Sequence, residues 1–459
     1  MPAAPSSDPF LGSVRAMLSA TPWDLMSAWH ALLGPAYSFS LFSRPCVSLA
    51  CPSLLRGVLH TQHSLFQKDV SFTYAPFLPL LGRGLVTAEG REWRRQRTKM
   101  SRALRIEVLE GIPGITLRAA QRLFSLLDER AAGGGTTDLS EAFRHLALQV
   151  VSEAILSLPP GEADRTFATM YLPIVEEGNR RVWNPLRAYA VALPFWWRHR
   201  ADVRRLDRYI DSLISARLRT PAASWPADVL SKVLSNFVDS PASRRQVRDE
   251  VKTFILAGHE TSAAMLAWAA HELVKGGGAL EALREEAGRV WPGSSCATWT
   301  EEQLPSRTEE LCDLTYSEAC LKEALRLFSV VPTVTRTATK TTEIDGHTFP
   351  KGTTVMVGIQ AVHSDPAHWP EPKAYRPERF LPGAPEIKPY TFIPFIDGPR
   401  NCLGQYLALL ESKMVLSLLF KEFDVTPVAG MGGEKHPYMV PVVPKHGIVV
   451  RARRRVQAA

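Results

Sequence analysis

The residues best suited to chemistry fall in one stretch, Phe395-Ile396-Asp397-Gly398-Pro399-Arg400-Asn401-Cys402-Leu403-Gly404. Two glycines and a proline frame a single cysteine just ahead of a helical pattern. The apolar stripe of that pattern is Leu403, Leu407, Leu410, Met414 and Leu418. A cysteine at a helix start meets the positive end of the helix dipole, which favours the thiolate. Gly398 and Gly404 let the backbone come close to a flat ligand. Amides that follow the sulfur can donate to it and tune it. A thiolate held this way suits the axial position of a haem iron. The competing reading is an inert buried cysteine, the usual state of an isolated Cys.

Three further segments carry charge at informative spacing. Ala257-Gly258-His259-Glu260-Thr261-Ser262 interrupts an apolar helical run of Phe254, Ile255, Leu256, Ala263, Ala264, Met265 and Leu266. A carboxylate beside a hydroxyl in such a run points to proton delivery into a dry pocket, against the blander reading of a solvated polar face. Gly258 weakens the helix there by about 1 kcal/mol. Glu323 and Arg326, three apart, share one helical face. Trp93 and Arg97, four apart in Trp93-Arg94-Arg95-Gln96-Arg97, can hold a carboxylate, although basic helix faces are common.

The elements that must position these groups are mostly helical. Apolar residues recur at three and four over 139–156, 251–273 and 403–419. Residues 37–50 and 333–357 read as extended, the latter with turn chemistry at Asp345-Gly346 and Pro350-Lys351-Gly352. Proline and tryptophan crowd 365–385, a long irregular segment of the kind usually kept for function. The expected fold class is mainly α with a minor β-sheet region. At 459 residues, 45% apolar and 22% charged, the chain is an ordinary globular protein, not a disordered, collagenous or coiled-coil one. A net charge of +8 is too small on this length to mark a nucleic-acid binder. Six scattered cysteines do not make a disulfide scaffold and favour a reducing compartment. No apolar run reaches the roughly 18 residues of a membrane span.

Other chemistries fail on spacing. Cys46, Cys51, His60 and His63 are too closely set for a zinc finger, and no Cys-x-x-Cys-His exists for covalent haem attachment. His271-Glu272 lacks the second histidine of a zinc protease. Gly82-Arg83-Gly84 lacks the third glycine of a dinucleotide site.

Taken together and in this order, with Pro377-Glu378-Arg379-Phe380 between Arg326 and Phe395, the segments resemble the cytochrome P450 superfamily of haem-thiolate monooxygenases, of eukaryotic type. Residues 257–268 are similar to plant and algal members. The resemblance covers nearly the whole chain. It implies the P450 fold, with haem between the distal oxygen-activating helix and the proximal cysteine loop. It implies one such domain over 31–459. Residues 1–30 are expected to form a flexible segment without a transmembrane anchor, a departure from the membrane helix usual in microsomal members. It implies haem b (iron protoporphyrin IX) ligated by Cys402, with Arg400, Trp93, Arg97 and Arg336 on the propionates and Phe395 shielding the sulfur. Thr261 with Glu260 would guide protons to dioxygen, while Glu323, Arg326 and Arg379 would form a buried structural network.

The implied activity is insertion of one oxygen atom of O2 into a lipophilic small molecule: a sterol, a terpenoid or carotenoid, or a fatty acid. Electrons come from NADPH through a separate partner, a reductase or a ferredoxin, because the chain has no flavin or nicotinamide motif. Phe66, Phe72, Tyr74 and Phe77, the helix face at Phe254 and Ala257, 330–334 and 439–442 are expected to line the pocket. Leu193-Pro194-Phe195-Trp196-Trp197-Arg198-His199-Arg200 has the composition of an interfacial anchor, for peripheral membrane contact, or fills the core. The expected location is the cytosolic face of the endoplasmic reticulum or a plastid, peripheral or soluble. The competing activities are a peroxide isomerase or dehydratase of the same fold, which Thr261 argues against, and a non-catalytic haem sensor. Ile396 departs from the family pattern, which carries a small or polar residue after the Phe.

Overall fold

The computed structural model describes residues 1–5, 8–104, 110–235, 238–291, 295–300, 310–428, 432–437 and 440–455. The helices used below are, in chain order, α1 (Pro22–Leu33), α2 (Gly90–Ala103), α3 (Ile112–Ala132), α4 (Leu139–Leu156), α5 (Ala168–Trp183), α6 (Pro194–Arg219), α7 (Val229–Leu234), α8 (Pro241–Leu273), α9 (Gly278–Val290), α10 (Thr315–Leu327), α11 (Ile359–His363) and α12 (Gln405–Glu422). The strands are β1 (Ala36–Leu41), β2 (Arg44–Leu49), β3 (Phe66–Gln67), β4 (Thr137–Asp138), β5 (Thr333–Ala338), β6 (Thr342–Ile344), β7 (His347–Phe349), β8 (Thr354–Gly358), β9 (Phe423–Pro427) and β10 (Val449–Arg454). The mainly helical class with a minor sheet region is what forms. Two compact units result. One comprises Met1–Tyr74, Lys322–Cys402 and Gly433–Lys445, the other Ala75–Leu321, Leu403–Gly432 and His446–Ala459.

The first unit is built on a five-stranded sheet of order β1-β2-β8-β5-β3. Its β2–β8 pair is parallel and the others antiparallel. The β-branched runs Thr333-Val334-Thr335 and Thr354-Val355 explain why these segments extend. Residues 37–50 form the β1–β2 hairpin. Asp345-Gly346 turns β6 into β7 with positive φ at both positions, as an Asp-Gly hairpin turn requires. Leu49, Leu55, Phe66, Phe349, Val355 and Ile393 fill the core.

Residues 365–385 are irregular as expected, apart from a single 3-10 turn, Pro377–Phe380. Such a segment has no ladder of its own, so its carbonyls need outside donors. Arg326, completely buried, supplies two of them: Nη1 donates to Pro372 O at 2.8 Å and Nη2 to Ala374 O at 3.1 Å, and Nη1 also donates to His363 O at the end of α11 at 3.1 Å. Its Nε and Nη2 also reach Glu323 at 2.8 and 2.7 Å. Glu323, equally buried, accepts from the Arg376 amide at 3.0 Å and Arg379 Nε at 3.3 Å.

In the second unit, α4 matches the expected helix at both ends. The Asp138 side chain caps it, accepting from Ser140 N and Ile448 N at 2.9 Å each. Helix α8 starts ten residues before the apolar pattern does. Ser240 caps it with Pro241 at its first position, and the charges Arg244, Arg245, Arg248 and Asp249 mask the periodicity. Gly258 is explained by packing: a Cβ there would lie 2.7 Å from the Val151 side chain, so glycine lets α4 and α8 approach. Helix α12 starts at Gln405, two residues later than expected, because Gly404 is its cap. The three-stranded sheet β4-β10-β9 is antiparallel.

Glu323→Gln should destabilise the protein by about 3–5 kcal/mol, because it leaves the Arg326 charge buried and unpaired. A guanidinium-denaturation midpoint checks this, and a change below about 1 kcal/mol would contradict a network role.

Candidate active site

Cys402 lies in the first unit, three residues ahead of α12, with an exposed side chain. Its backbone is tied down before its sulfur is considered. The Cys402 amide donates to Phe395 O at 2.8 Å, and the Ile396 amide to Ile393 O at 3.0 Å. Asp397 accepts from the Gly398 amide at the start of the 3-10 turn Gly398–Arg400. Gly398 has φ +77°, and a Cβ there would sit 2.2 Å from Leu59 O, so only glycine fits. Ile396 has φ +60°, a region that costs a β-branched residue about 1–2 kcal/mol. The departure noticed in the sequence is therefore a strained backbone position. Phe395 and Arg400 are half-buried.

A histidine that carried no sequence signal anchors this loop. The fully buried His363, at the end of α11, accepts from the Ile393 amide at Nε2, 2.9 Å away. Its Nδ1 therefore carries the proton and donates to Ser329 Oγ at 2.9 Å. Burial, and then the Arg326 charge, push its pKa down to about 3, so the ring is neutral.

Arg336 stands on β5, only 3% exposed. Its Nη1 donates to Thr335 O at 2.8 Å, and no carboxylate among the described residues pairs with it. A buried guanidinium without a counter-ion is costly. Its position fits an anionic group on a bound molecule, such as a haem propionate. With a solvent-accessible thiol in the same unit, the donor set fits a haem with a thiolate ligand.

The second unit carries the other expected residues. Trp93 on α2 is buried with Leu85, Ala88 and Met100, and Leu403, Val233 and Phe254 pack against that cluster. Arg97, one turn on, is half-buried, while Arg94, Arg95 and Lys99 face solvent. On α8, Glu260 and Thr261 part company. Glu260 is 2% exposed and accepts from Arg144 Nη2 of α4 at 3.0 Å, with His259 Nδ1 at 3.5 Å. Thr261, about 100° round the helix, is half-buried, and its hydroxyl donates back to Ala257 O. Arg144 and Glu260 are 116 positions apart, so no local pattern announces the pair.

The expected pocket lining is corrected at Phe66. Phe66 is in β3 and belongs to the core of the first unit, stacked edge-on against Phe349. Phe72 lies under the Arg44 guanidinium at 4.7 Å. Phe77, in the second unit, packs against α5 at Gly178. Met439 lies outside the described residues. Of the three aromatics at 195–197, Phe195 and Trp196 are half-buried and Trp197 is exposed, so none of them fills the core. None of the six cysteines forms a disulfide. Among the described residues no helix is long and apolar enough to cross a membrane.

The family model for Cytochrome P450 matches residues 2–449. Cytochrome P450 4c21 of Blattella germanica is 27% identical over 448 residues, 92% of this chain and 87% of that protein. Cytochrome P450 4F8 of Homo sapiens is 29% identical over 409 residues, 83% of this chain and 76% of that protein. The putative cytochrome P450 132 of Mycobacterium bovis is 31% identical over 437 residues, 91% of this chain and 90% of that protein.

The His363 geometry predicts a pH dependence. Above about pH 6.5 the ring is neutral both folded and unfolded. Below that, the unfolded chain binds the proton while the folded chain resists it down to about pH 3. Stability should therefore fall on acidification through this window, by up to about 1.4 kcal/mol per pH unit from this group. His30, His259 and His271, each lowered to about 4 by burial first, add the same sign. His363→Gln should flatten the slope by about one proton between pH 6.5 and 4 in urea denaturation series; an unchanged slope would count against the buried neutral ring.

Proposed function

The chain belongs to the cytochrome P450 family and is a haem-thiolate monooxygenase, and on that premise we propose that Cys402 supplies the iron's thiolate ligand. Arg336, Arg400, Trp93 and Arg97 hold the propionates, and Phe395 shields the sulfur. The observation that carries this assignment is the Cys402 loop itself. Its amide is fixed by Phe395 O, its approach is fixed by His363 through Ile393, and its turn admits only glycine at 398. Such a loop presents one accessible sulfur in one place, as a metal ligand must. When bound, the haem activates dioxygen for insertion of one oxygen atom into the substrate.

Thr261 moves protons toward the dioxygen site, and Glu260, buried on an adjoining face of α8 and held by Arg144, is the acidic group of that role. The back-bond to Ala257 O orients the Thr261 hydroxyl and leaves its lone pairs to accept from a water or a substrate hydroxyl. The substrate is a lipophilic small molecule: a sterol, a terpenoid or carotenoid, or a fatty acid. Electrons come from NADPH through a separate protein, a reductase or a ferredoxin. The exposed Arg94, Arg95 and Lys99 support an acidic partner, steered by charge at low salt. The exposed Trp197 beside Arg198 and Arg200 supports peripheral contact with a membrane, on the cytosolic face of the endoplasmic reticulum or in a plastid.

Cys402→Ala should abolish the strongly red-shifted Soret band of the reduced carbon-monoxide complex and lower haem content. The same band in the variant would overturn the assignment.

Thr261→Ala should keep haem and fold while product formed per NADPH drops at least about 10-fold and peroxide appears instead. Normal coupling in that variant would leave Thr261 with a structural role only.

A further inference from the structure

Gly82-Arg83-Gly84, which lacks the third glycine of a dinucleotide site, lies with the residues after it against the first third of α8. Residues 82–88 form turns without regular structure, so side chains take up several of their backbone groups. Asp249 Oδ2 accepts from the Arg83 amide at 3.0 Å, and Glu250 Oε2 from the Leu85 amide at 2.9 Å. Gln246 Nε2 donates to Arg83 O at 3.1 Å and to Glu250 Oε1 at 2.9 Å. From α2, Gln96 Nε2 reaches the same Arg83 carbonyl at 3.1 Å. The two glycines permit this approach. A Cβ at Gly82 would sit 2.2 Å from Asp249 Oδ2, and one at Gly84 would sit 2.0 Å from Thr253 Oγ1.

The two adjacent carboxylates are nearly wholly buried, Asp249 at 4% and Glu250 at 1% exposed, yet they are matched differently. Asp249 has Lys252 Nζ at 3.0 Å, which also reaches Asp207 of α6 at 2.7 Å, and Arg248 Nε at 3.9 Å. Among the described residues no cation pairs with Glu250. The charges that reach it are Asp249 beside it and Glu92 of α2, both acidic. Arg83, on the loop itself, pairs with Glu92 at 3.1 Å. Burial first, opposed by the Leu85 and Gln246 hydrogen bonds and aided by the two acidic neighbours, raises the Glu250 carboxyl to about 7.

The loop so held leads into α2. Leu85 and Ala88 are buried in one cluster with Trp93 and Met100 of that helix, and Phe254 of α8 packs against it. Only Glu89 separates Ala88 from the first residue of α2, so a shift of the loop is passed to the start of the helix.

We propose that Glu250 is a positioning residue for α2: by accepting from Leu85 it clasps residues 82–88 to α8 and keeps Leu85 packed on Trp93, which holds Trp93 and Arg97 in place for the haem propionates. This rests on the assignment of those two residues to the haem. The clasp responds to protons. With the loop in place Glu250 is shut off from water; with the loop lifted, water solvates the carboxylate and its proton is held less tightly. The closed loop is therefore the form that protonation favours, and a proton on Oε1 leaves Oε2 to accept from Leu85. Loop opening should increase as pH rises from about 5 to about 7 and level off above that. The sign is opposite to that of the buried histidines, so a local measurement separates the two effects.

The test follows amide hydrogen exchange of the haem-loaded protein by mass spectrometry in peptides covering 82–88, with rates divided by those of the unstructured peptide. Corrected exchange should rise at least about 10-fold from about pH 5 to about pH 7 and then level off. Glu250→Gln keeps an acceptor for Leu85 without the charge, so its corrected exchange should stay within about 3-fold over that range. Glu250→Ala removes the acceptor and should exchange at least about 10-fold faster than Glu250→Gln throughout. At about pH 7.5, haem transfer to apomyoglobin should be slowest in Glu250→Gln, at least about 3-fold faster in the parent protein and faster again in Glu250→Ala. Where Glu250→Ala does not fold, the parent protein and Glu250→Gln decide. Flat corrected exchange in the parent protein, or the same rise in Glu250→Gln, would overturn the clasp. Equal haem transfer in the parent protein and Glu250→Gln would overturn its hold on Trp93, and the proposal with it. Loop exchange needs no turnover, and the reduced carbon-monoxide band of the parent protein reads the thiolate assignment separately.

Discussion

A carboxylate and a guanidinium with no access to water, Glu323 and Arg326, set the terms for the first unit. Ionic groups so placed are tolerated only when every oxygen and N–H is occupied. The residues that occupy them come from far along the chain: carbonyls of His363, Pro372 and Ala374, the amide of Arg376 and the guanidinium of Arg379. The pair thereby gives shape to 365–385, which has almost no secondary structure to do so. The Trp369 ring packed 5.3 Å from the Arg326 guanidinium closes the remaining side.

From that pair the constraint passes to the cysteine in short steps. Arg326 fixes the His363 carbonyl, the His363 ring fixes the Ile393 amide, Ile393 O fixes the Ile396 amide, and Phe395 O fixes that of Cys402. Each link is one hydrogen bond near 3 Å between groups already short of water. The loop can then carry left-handed backbone at Tyr390, Ile396 and Gly398, because its surroundings leave no alternative. A thiolate ligand benefits from such rigidity, since its geometry is set before any ligand arrives.

In the second unit the controlling feature is the close approach of α4 and α8 at Gly258. It brings Arg144 within reach of Glu260 and turns one of two adjacent polar residues inward. The other, Thr261, is left half-buried by helix geometry alone, because neighbouring positions diverge by about 100°. The same unit keeps partnerless polar atoms on Tyr171, His199 and His259, all nearly or wholly buried. Each such atom calls for a physical reason, whether strain, a chemical role or a bound water or ion.

By itself the sequence determined the class of chemistry and most of the framework. The cysteine loop, Glu323-x-x-Arg326, Trp93 to Arg97 and the Glu260-Thr261 interruption were legible because their meaning lies in residue type and local spacing. So were α4 at both ends and the Asp345-Gly346 hairpin, whose signals are local periodicity and turn chemistry. The tertiary structure alone decided what depends on contacts between distant segments. It made Arg144 the partner of Glu260, gave His363 the task of holding Ile393, moved Phe66 from pocket to core and laid residues 82–88 against Asp249 and Glu250. No local pattern records such pairings, since a buried polar group is defined by what surrounds it and its surroundings are assembled only when the chain folds.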